Sequence, residues 1–380
     1  MKIKNCSWIV EKEYMDYFLI FNRSNGKWAK ISSKFKEEID GLELEGEHKG
    51  SVINMLFENG IFEECKGEKT ITISITNRCN LSCKHCCVSA GTQEEIEKYQ
   101  LIDILEKCIR WKPERIVISG GEPLIRSDFV EIIQFLRKRY NGYLTLATNG
   151  ILINYEMAKF IKYNFDQIDI SIDGIDEETC ALVRGKGVFH KVLNKIELLK
   201  SVGMEKITLS MVIGEYNKEI EEKFINLNKR LGTKPVIRGF SAVGRGKENV
   251  KLFQKEAYIG KITNEYFERK IIKCSSCKAG MTNLFIDYKG NVFPCMLLNK
   301  EMFYMGNVNE IDSFDELHTQ SNIIDICLKL KAQKCTECLF NLLCWNCPAK
   351  LLELSDKDIK KRCDQLYPYF KEILERNTGK

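Results

Sequence analysis

The sequence predicts an α/β protein: a partial (β/α)6, TIM-like barrel, with a small winged-helix-like module before it and a cysteine-rich module after it. Three observations predict this. Six strand-like runs alternate with charged, helix-length segments between residue 70 and about residue 245. Cysteine is the compositional outlier, 17 against four histidines, and most cysteines fall in two groups at the two ends of that alternation. Residues 1–66 carry hairpin and helix signals of their own.

The chain has 380 residues, room for two or three domains of about 150 residues each. A composition of 44% hydrophobic and 29% charged residues excludes a disordered or collagen-like chain. The 58 Lys and Arg against 53 Asp and Glu leave a dispersed charge of +5, which argues against a nucleic-acid partner. No apolar stretch approaches the roughly 20 residues of a membrane helix. The N-terminus, MKIKNCSWIVEKEYMD, breaks its apolar residues with charges, unlike a secretory signal. A cytoplasmic protein with no membrane partner is expected. An odd number of cysteines in a reducing compartment makes a poor disulfide framework. Spaced thiolates with few histidines suit zinc or iron–sulfur.

In the N-terminal module, Tyr17–Phe21 and Trp28–Ile31 read as strands around Asn25-Gly26, a hairpin-turn pair. Phe35, Ile39 and Leu42 share one helix face. Ser51 is placed to cap a second helix carrying Val52, Ile53, Leu56 and Phe57, which Asn59-Gly60 ends. With a short closing strand, the order hairpin, helix, helix, strand gives the winged-helix-like unit assigned to 1–66. The barrel, assigned to 67–250, has strands at Ile71–Thr76, Arg115–Ser119, Tyr143–Ala147, Gln167–Ile172, Lys206–Val212 and Pro235–Phe240. Helix-length crossovers such as Gln93–Trp111 and Phe189–Val202 require parallel pairing. Six such units suggest an open barrel rather than a closed eightfold one. Residues 251–380 form a bridging region that gives way, beyond about residue 270, to loops and cysteines.

The first barrel strand runs directly into Cys79, Cys83 and Cys86, spaced C-x3-C-x2-C. Three thiolates on one loop can hold three irons of a 4Fe–4S cube and leave the fourth open. A zinc knuckle is the alternative. It wants a fourth ligand, and Cys87 would have to double back to serve. Gly120-Gly121-Glu122-Pro123, Thr148-Asn149-Gly150 and Ser171-Ile172-Asp173-Gly174 end the second, third and fourth strands, where βα sheets place ligands. Each alone is a common turn.

Together these motifs resemble the radical SAM superfamily over roughly residues 70–250. The resemblance implies a catalytic centre at Cys79, Cys83 and Cys86, whose cluster chelates S-adenosyl-L-methionine through its open iron. It implies that Gly120, Gly121 and Glu122 bind the methionine amino group. His85, at a position usually aromatic, would lie near the cofactor. Ser171 would stand near its ribose and methionine ends and Arg184 near its carboxylate, with Asn149 and Asp173 also assigned to cofactor binding. In this family one electron cleaves the cofactor to a 5′-deoxyadenosyl radical, which removes a hydrogen atom from an unactivated carbon.

Further on the chain reads Cys277-x12-Gly290-x4-Cys295, then Cys335-x2-Cys338-x5-Cys344-x2-Cys347, then Cys363. This resembles the SPASM domain of peptide- and protein-modifying radical SAM enzymes. It implies two auxiliary 4Fe–4S clusters, one on Cys274, Cys277, Cys295 and Cys347, the other on Cys335, Cys338, Cys344 and Cys363. With the radical SAM cluster that makes three, served by an electron donor such as flavodoxin or ferredoxin. Only two residues, Trp345 and Asn346, stand where the family usually has three. A pair of zinc ribbons is the competing reading of these spacings. Cys108 and Cys327 read as core, and Cys6 and Cys65 as parts of the N-terminal module or its exit. Cys87 and Cys180 are spare thiols to weigh for hydrogen-atom donation. His48, His190 and His318 read as surface or core. Arg245, in Val243-Gly244-Arg245-Gly246, is a candidate substrate contact.

The SPASM resemblance implies a peptidyl substrate. The N-terminal module resembles the leader-recognition, PqqD-like element of ribosomal-peptide maturases, which adds a leader peptide as a strand. The expected activity is maturation of a ribosomally made precursor peptide by a thioether of the sactionine type, or another oxidative crosslink. Formylglycine generation in sulfatases competes with it. That family carries an aspartate directly after the cysteine matching Cys295, where this chain has Met296. Epimerisation and decarboxylation are further alternatives, and a non-catalytic metal-binding adaptor would require the glycine-rich motifs to be accidental.

Overall fold

In the computed structural model, residues 2–45, 50–65, 67–91, 95–253, 274, 276–317, 323–345 and 347–376 are described. They form two compact units. One comprises Met1–Gly67, Ala257–Lys278 and Asn322–Lys380; the other comprises Glu68–Glu256 and Ala279–Ser321. His48 and His318 lie outside the described residues.

The smaller unit opens with an antiparallel sheet of β1 (Ile9–Tyr14), β2 (Tyr17–Asn22) and β3 (Trp28–Ser32), in that order. β2 and β3 are the expected hairpin, with Gly26 at φ +79 in its turn. β1 was not expected. Its charged run Glu11-Lys12-Glu13 hides the alternation that marks a strand. Helices α1 (Lys36–Gly41) and α2 (Ser51–Glu58) follow, and Ile39 and Leu56 bury against Phe18 and Ile20 of the sheet. α2 begins at Ser51 itself, with Gly50 in the capping position. Its end at Asn59-Gly60 is as expected, with Gly60 at φ +65. The expected closing strand is absent among the described residues. Instead the buried Asn22 side chain donates to the carbonyls of Ile61 and Glu63, at 2.9 and 2.8 Å, and fixes that segment as a loop.

The same unit contains α9 (Ile323–Lys331) and α10 (Asp356–Arg376). Arg23 grips Asp325 of α9 through two bonds of 2.9 Å, and Lys30 donates to the Leu374 carbonyl of α10 at 2.6 Å. The chain leaves this unit at Gly67, beside the boundary expected at residue 66, and the N-terminal sheet shares the unit with the C-terminal helices.

The larger unit is built on a nine-stranded sheet among the described residues. β4 (Thr70–Ser74), β5 (Arg115–Ser119), β6 (Tyr143–Thr148), β7 (Gln167–Ser171), β8 (Ile207–Ile213) and β9 (Lys234–Gly239) lie in sequence order, each parallel to the next. Each pair is joined by helices: α3 (Lys98–Arg110), α4 (Phe129–Arg139), α5 (Tyr155–Asn164), α6 (Glu177–Arg184) with α7 (Val188–Ser201), and α8 (Glu221–Leu231). Aliphatic side chains such as Ile73, Ile118, Leu146, Ile170 and Leu209 leave the strands into one core with Leu101, Ile132, Ile161 and Val192 of the helices. Cys108 is buried in it, as expected. Helix starts follow local chemistry: Asn154 accepts from Met157 N–H at α5, and Asp176 with Thr179 makes a capping box at α6.

The sheet does not stop at β4. β10 (Asn283–Ile286) pairs parallel to β4, and β11 (Asn291–Phe293) and β12 (Gly306–Asn307) extend it antiparallel. The region expected as loops thus begins with strands that belong to the barrel unit, whose first segment runs to Glu256 and which takes up the chain again over Ala279–Ser321. At four, three and two residues these strands are too short to show a period. No described helix is long and apolar enough to cross a membrane.

Candidate active site

The loop leaving β4 carries Cys79, Cys83 and Cys86, and the chain fixes it from several sides. Leu81 N–H donates to Cys79 Sγ at 3.4 Å and Ala90 N–H to Cys86 Sγ at 3.3 Å. Arg184 Nη1 reaches Cys83 Sγ at 3.7 Å. Such bonds favour thiolate over thiol and tune an iron–sulfur centre. Burial pushes the Cys79 thiol up to about 11 and raises Cys83 as well, the latter against the pull of Arg184, so metal binding here must release protons. Among the described residues no three His, Cys, Asp or Glu groups gather for a single metal ion. A cube takes one thiolate per iron, and three thiols on one loop can serve three of its irons.

Arg245 completes the brace. Its Nε donates to the Cys83 carbonyl at 3.0 Å, its Nη1 to the Ala90 carbonyl at 2.8 Å and its backbone N–H to the Cys86 carbonyl at 2.9 Å. The guanidinium expected to meet substrate is thus spent on the cysteine loop. Gly244, at φ +53, is required beside it, since a Cβ there would lie 2.4 Å from the Cys86 carbonyl oxygen.

The glycines after β5 press on the same loop. A Cβ on Gly120 would lie 2.6 Å from Thr76 O, and one on Gly121 would lie 2.3 Å from Arg78 O. Gly121 N–H donates to Thr76 O and Glu122 N–H to Arg78 O, each at 2.8 Å. Glu122 itself is fully buried. Its carboxylate accepts from Thr148 Oγ1 at 2.7 Å, Asn149 N–H at 2.7 Å and Leu124 N–H at 3.1 Å. Burial raises its pKa, and those three donors oppose the rise. Its side chain therefore ties the ends of β5 and β6 together. Asn149 turns its amide to Asn80 Oδ1 at 2.8 Å, next to Cys79. Ser171 accepts from Ser210 Oγ at 3.3 Å, across β7 and β8.

The end of β7 carries the strongest charge pairing. Asp173, in the left-handed region at φ +52, is buried, and one of its oxygens meets both Arg184 Nε at 2.6 Å and His85 Nε2 at 2.8 Å. Its other oxygen accepts from Val212 N–H at 2.6 Å. Burial acts to raise the Asp173 pKa, but the Arg184 guanidinium and then His85 outweigh it and hold the carboxyl well below the usual range. Asp173 raises Arg184 in return, against its burial. The His85 ring stacks on Phe253, which stacks on Phe240 at 4.3 Å and meets the edge of Tyr216. Its Nδ1 is buried with no partner among the described residues. Sequence reasoning missed this aromatic wall: Phe240 read only as a strand end, and Phe253 carries no local signal.

The loop and these strand ends match a known family. Residues 73–227 match the model of the radical SAM superfamily, and residues 277–348 match that of SPASM, an iron-sulfur cluster-binding domain. The chain is a radical SAM enzyme. Its two domains imply S-adenosyl-L-methionine, a radical SAM 4Fe–4S cluster and auxiliary clusters as cofactors. Mycofactocin maturase MftC of Mycolicibacterium smegmatis is 27% identical over 277 residues, which are 67% of this chain and 70% of that protein. Two solved structures share the fold. Streptococcus suis SuiB has a TM-score of 0.56 at 16% identity, over 93% of this chain and 97% of that one. Native anSMEcpe with bound AdoMet has a TM-score of 0.56 at 20% identity, over 81% and 99%. The donor set of this radical SAM enzyme fits its cofactors: three thiols on one braced loop, and a buried histidine nitrogen without a partner among the described residues.

In the smaller unit Cys335, Cys338, Cys344 and Cys363 are neighbours. Burial pushes the Cys344 thiol up to about 12; Arg362 opposes this, and Cys338, Cys335 and Cys363 add to it. Cys338 N–H donates to the Cys335 carbonyl at 3.2 Å, and Asn341 donates to the same carbonyl at 3.0 Å. Four thiols in one unit are the number a 4Fe–4S cube takes. Cys277 and Cys347 lie in the smaller unit and Cys295 in the larger. Cys274 departs from the implied set. Its thiol is buried in the N-terminal hairpin, 3.2 Å from Asn22 O and 3.6 Å from Lys27 O, and its N–H donates to Gly26 O at 2.8 Å. Carbonyl oxygens only accept, so in this arrangement the Cys274 thiol is the donor.

The remaining thiols are accounted for. Cys6 and Cys327 are buried and Cys65 is exposed. Cys180 is buried, with its thiol pushed up to about 12 by burial. Cys87 places its sulfur 3.1 Å from Met296 Sδ, and burial, then Cys86, push its thiol up to about 12. His190 is exposed.

Proposed function

We propose that this radical SAM enzyme matures a ribosomally made precursor peptide by oxidative crosslinking, with a thioether as first choice. One arrangement carries the reading: a three-cysteine loop, the glycine turn packed against it and the Asp173–Arg184–His85 network meet at the C-terminal ends of parallel strands. When bound, the cofactor and its cluster supply a carbon radical able to remove a hydrogen atom. The chain's own part is to hold and orient. Cys79, Cys83 and Cys86 would ligate the cluster, and Gly120 and Gly121 would meet the cofactor's amino group through their backbone. Arg184 would meet its carboxylate and His85 Nδ1 a cofactor polar group, with Ser171, Asn149, Asp173 and Glu122 fixing the strand ends around it.

A peptide substrate is supported by the likeness to mycofactocin maturase MftC, and by the fold shared with SuiB, which is also known bound to its precursor peptide SuiA. The three-stranded N-terminal sheet is the proposed leader-binding surface. Cys335, Cys338, Cys344 and Cys363 are proposed to hold one auxiliary cluster. Cys277, Cys295 and Cys347 are assigned by resemblance to the other. A flavodoxin or ferredoxin in the cytoplasm would supply electrons. Formylglycine chemistry is disfavoured, because the position of its aspartate base is Met296, a thioether packed on the Cys87 thiol.

The test is mass spectrometry of the precursor peptide after anaerobic turnover. A crosslink leaves the product lighter by two hydrogens per event. An unchanged mass with solvent deuterium incorporated means epimerisation, and loss of carbon dioxide means decarboxylation; either result would reject the proposal. The reconstituted protein should hold about twelve irons in three cubes, and changing Cys79, Cys83 and Cys86 together to Ala should remove about four of them.

A further inference from the structure

Lys12 stands on β1, yet its ammonium is not turned to solvent. Its Nζ donates to the carbonyl of Cys338 at 2.6 Å, across 326 positions of sequence. Burial lowers its pKa. The facing Cys338, Asp325 and Glu337 favour the charged form, and Arg23 opposes it. Arg23 is itself neutralised by its two-bond pairing with Asp325. The Lys12 ammonium thus places its charge directly on the Cys338 carbonyl, with Glu337 as the acidic neighbour not taken up by Arg23. A second cation, Arg362, holds the carbonyl of Cys344 and lies 4.9 Å from the Trp345 ring.

Reducing an iron–sulfur cluster adds negative charge to it. A nearby positive charge in a partly dry site stabilises the reduced form and raises the potential. Hydrogen bonds to the ligating residues act in the same direction. We propose that Lys12 is a positioning residue that raises the reduction potential of the auxiliary cluster held by Cys335, Cys338, Cys344 and Cys363. The N-terminal sheet would then be part of that cluster's electrostatic environment as well as a docking surface. The inference rests on the reading that these four cysteines bind a cluster.

The experiment is an anaerobic redox titration of the full-length reconstituted protein, followed by electron paramagnetic resonance. Wild type is compared with Lys12→Met, Lys12→Gln and Lys12→Arg. The signal of the second auxiliary cluster is identified by its loss in a Cys335→Ala, Cys338→Ala variant. Expected is a more negative midpoint for that signal alone in Lys12→Met and Lys12→Gln, and recovery toward wild type in Lys12→Arg. Unchanged midpoints at full iron content would overturn the proposal. So would a shift in Lys12→Arg equal to that in Lys12→Met, which marks a packing effect. So would loss of about four irons in both neutral variants, which marks an assembly brace. A wild type that holds only about four irons would instead remove the four-cysteine reading itself, and the two failures stay distinct.

Discussion

Arg184 Nε and His85 Nε2 share one oxygen of Asp173, at 2.6 and 2.8 Å. That oxygen joins the last residue of α6 to the residue next to Cys86, so the cysteine loop and the end of β7 are set by one buried carboxylate. Asp173 holds a left-handed backbone to do so, which costs an L residue about 1–3 kcal/mol. The geometry is worth that strain only if the network is kept whole. Asp173→Ala leaves the Arg184 guanidinium buried and unpaired, a loss of about 3–5 kcal/mol. The expected result is a fall in Tm of several degrees together with weakened S-adenosyl-L-methionine binding, read by thermal unfolding and equilibrium dialysis. A Tm unchanged from wild type would show that the pairing adds nothing to stability.

Gly121 offers a more local test. A Cβ there would lie 2.3 Å from Arg78 O and 2.8 Å from Arg78 C, both backbone atoms of the cysteine loop that cannot swing aside. Gly121→Ala should push the loop away from β5. About four of about twelve irons should be lost on reconstitution, with the auxiliary signals left in place. Full iron content in this variant would mean that the loop can move without penalty.

Tyr140 sets an alkaline limit. Its buried hydroxyl donates to Pro113 O at 3.1 Å, and burial pushes its pKa up to about 12. The folded state thus favours the protonated form. The stabilisation is complete below the ordinary tyrosine pKa of about 10 and is lost as pH rises from there through about 12. Against Tyr140→Phe, the wild type should keep a constant stability advantage from pH 7 to about 9.5 and lose it above about 10. Denaturant unfolding across that range reads the difference. An advantage that fades between pH 7 and 9 would contradict the assignment.

How much of this was legible in the sequence follows from how each signal is carried. The six parallel strands were visible because short apolar runs recur between helix-length charged segments, as at Arg115–Ser119, matched to the residue. The three-cysteine loop and the glycine motif were visible because their chemistry is local in sequence. β1 was hidden by Glu11-Lys12-Glu13, and β10 to β12 by their length. The roles of Arg245 and Glu122 were not legible either. The residue types suggested ligand contact, whereas their partners, the Cys83 and Ala90 carbonyls and the Thr148 and Asn149 donors, are fixed only by the fold. The site of Cys274 shows the same limit most sharply, since the resemblance implied a ligand and the fold sets its thiol as a donor to the Asn22 carbonyl.

Cys274 therefore gives the last prediction. The hairpin that receives it is a closed polar knot. Asn22 Oδ1 accepts from Ser24 N–H at 2.8 Å and from Ser24 Oγ at 2.7 Å, while its amide holds Ile61 and Glu63. The Cys274 thiol adds a donor to the Asn22 carbonyl, and burial pushes that thiol up to about 12, so ionising it for metal would cost both the bond and the burial. A serine keeps the donor but is a poor ligand for iron. Cys274→Ser should thus retain the wild-type iron content and electron paramagnetic resonance signals. Cys274→Ala should also retain its iron but lower Tm by a few degrees, because the Asn22 carbonyl loses one of its two donors and keeps only Gly26 N–H, at 2.9 Å. Loss of about four irons in a folded Cys274→Ser protein would mean that the thiol leaves the hairpin to bind iron when the cluster assembles. The first auxiliary cluster would then regain the fourth cysteine that the resemblance implied.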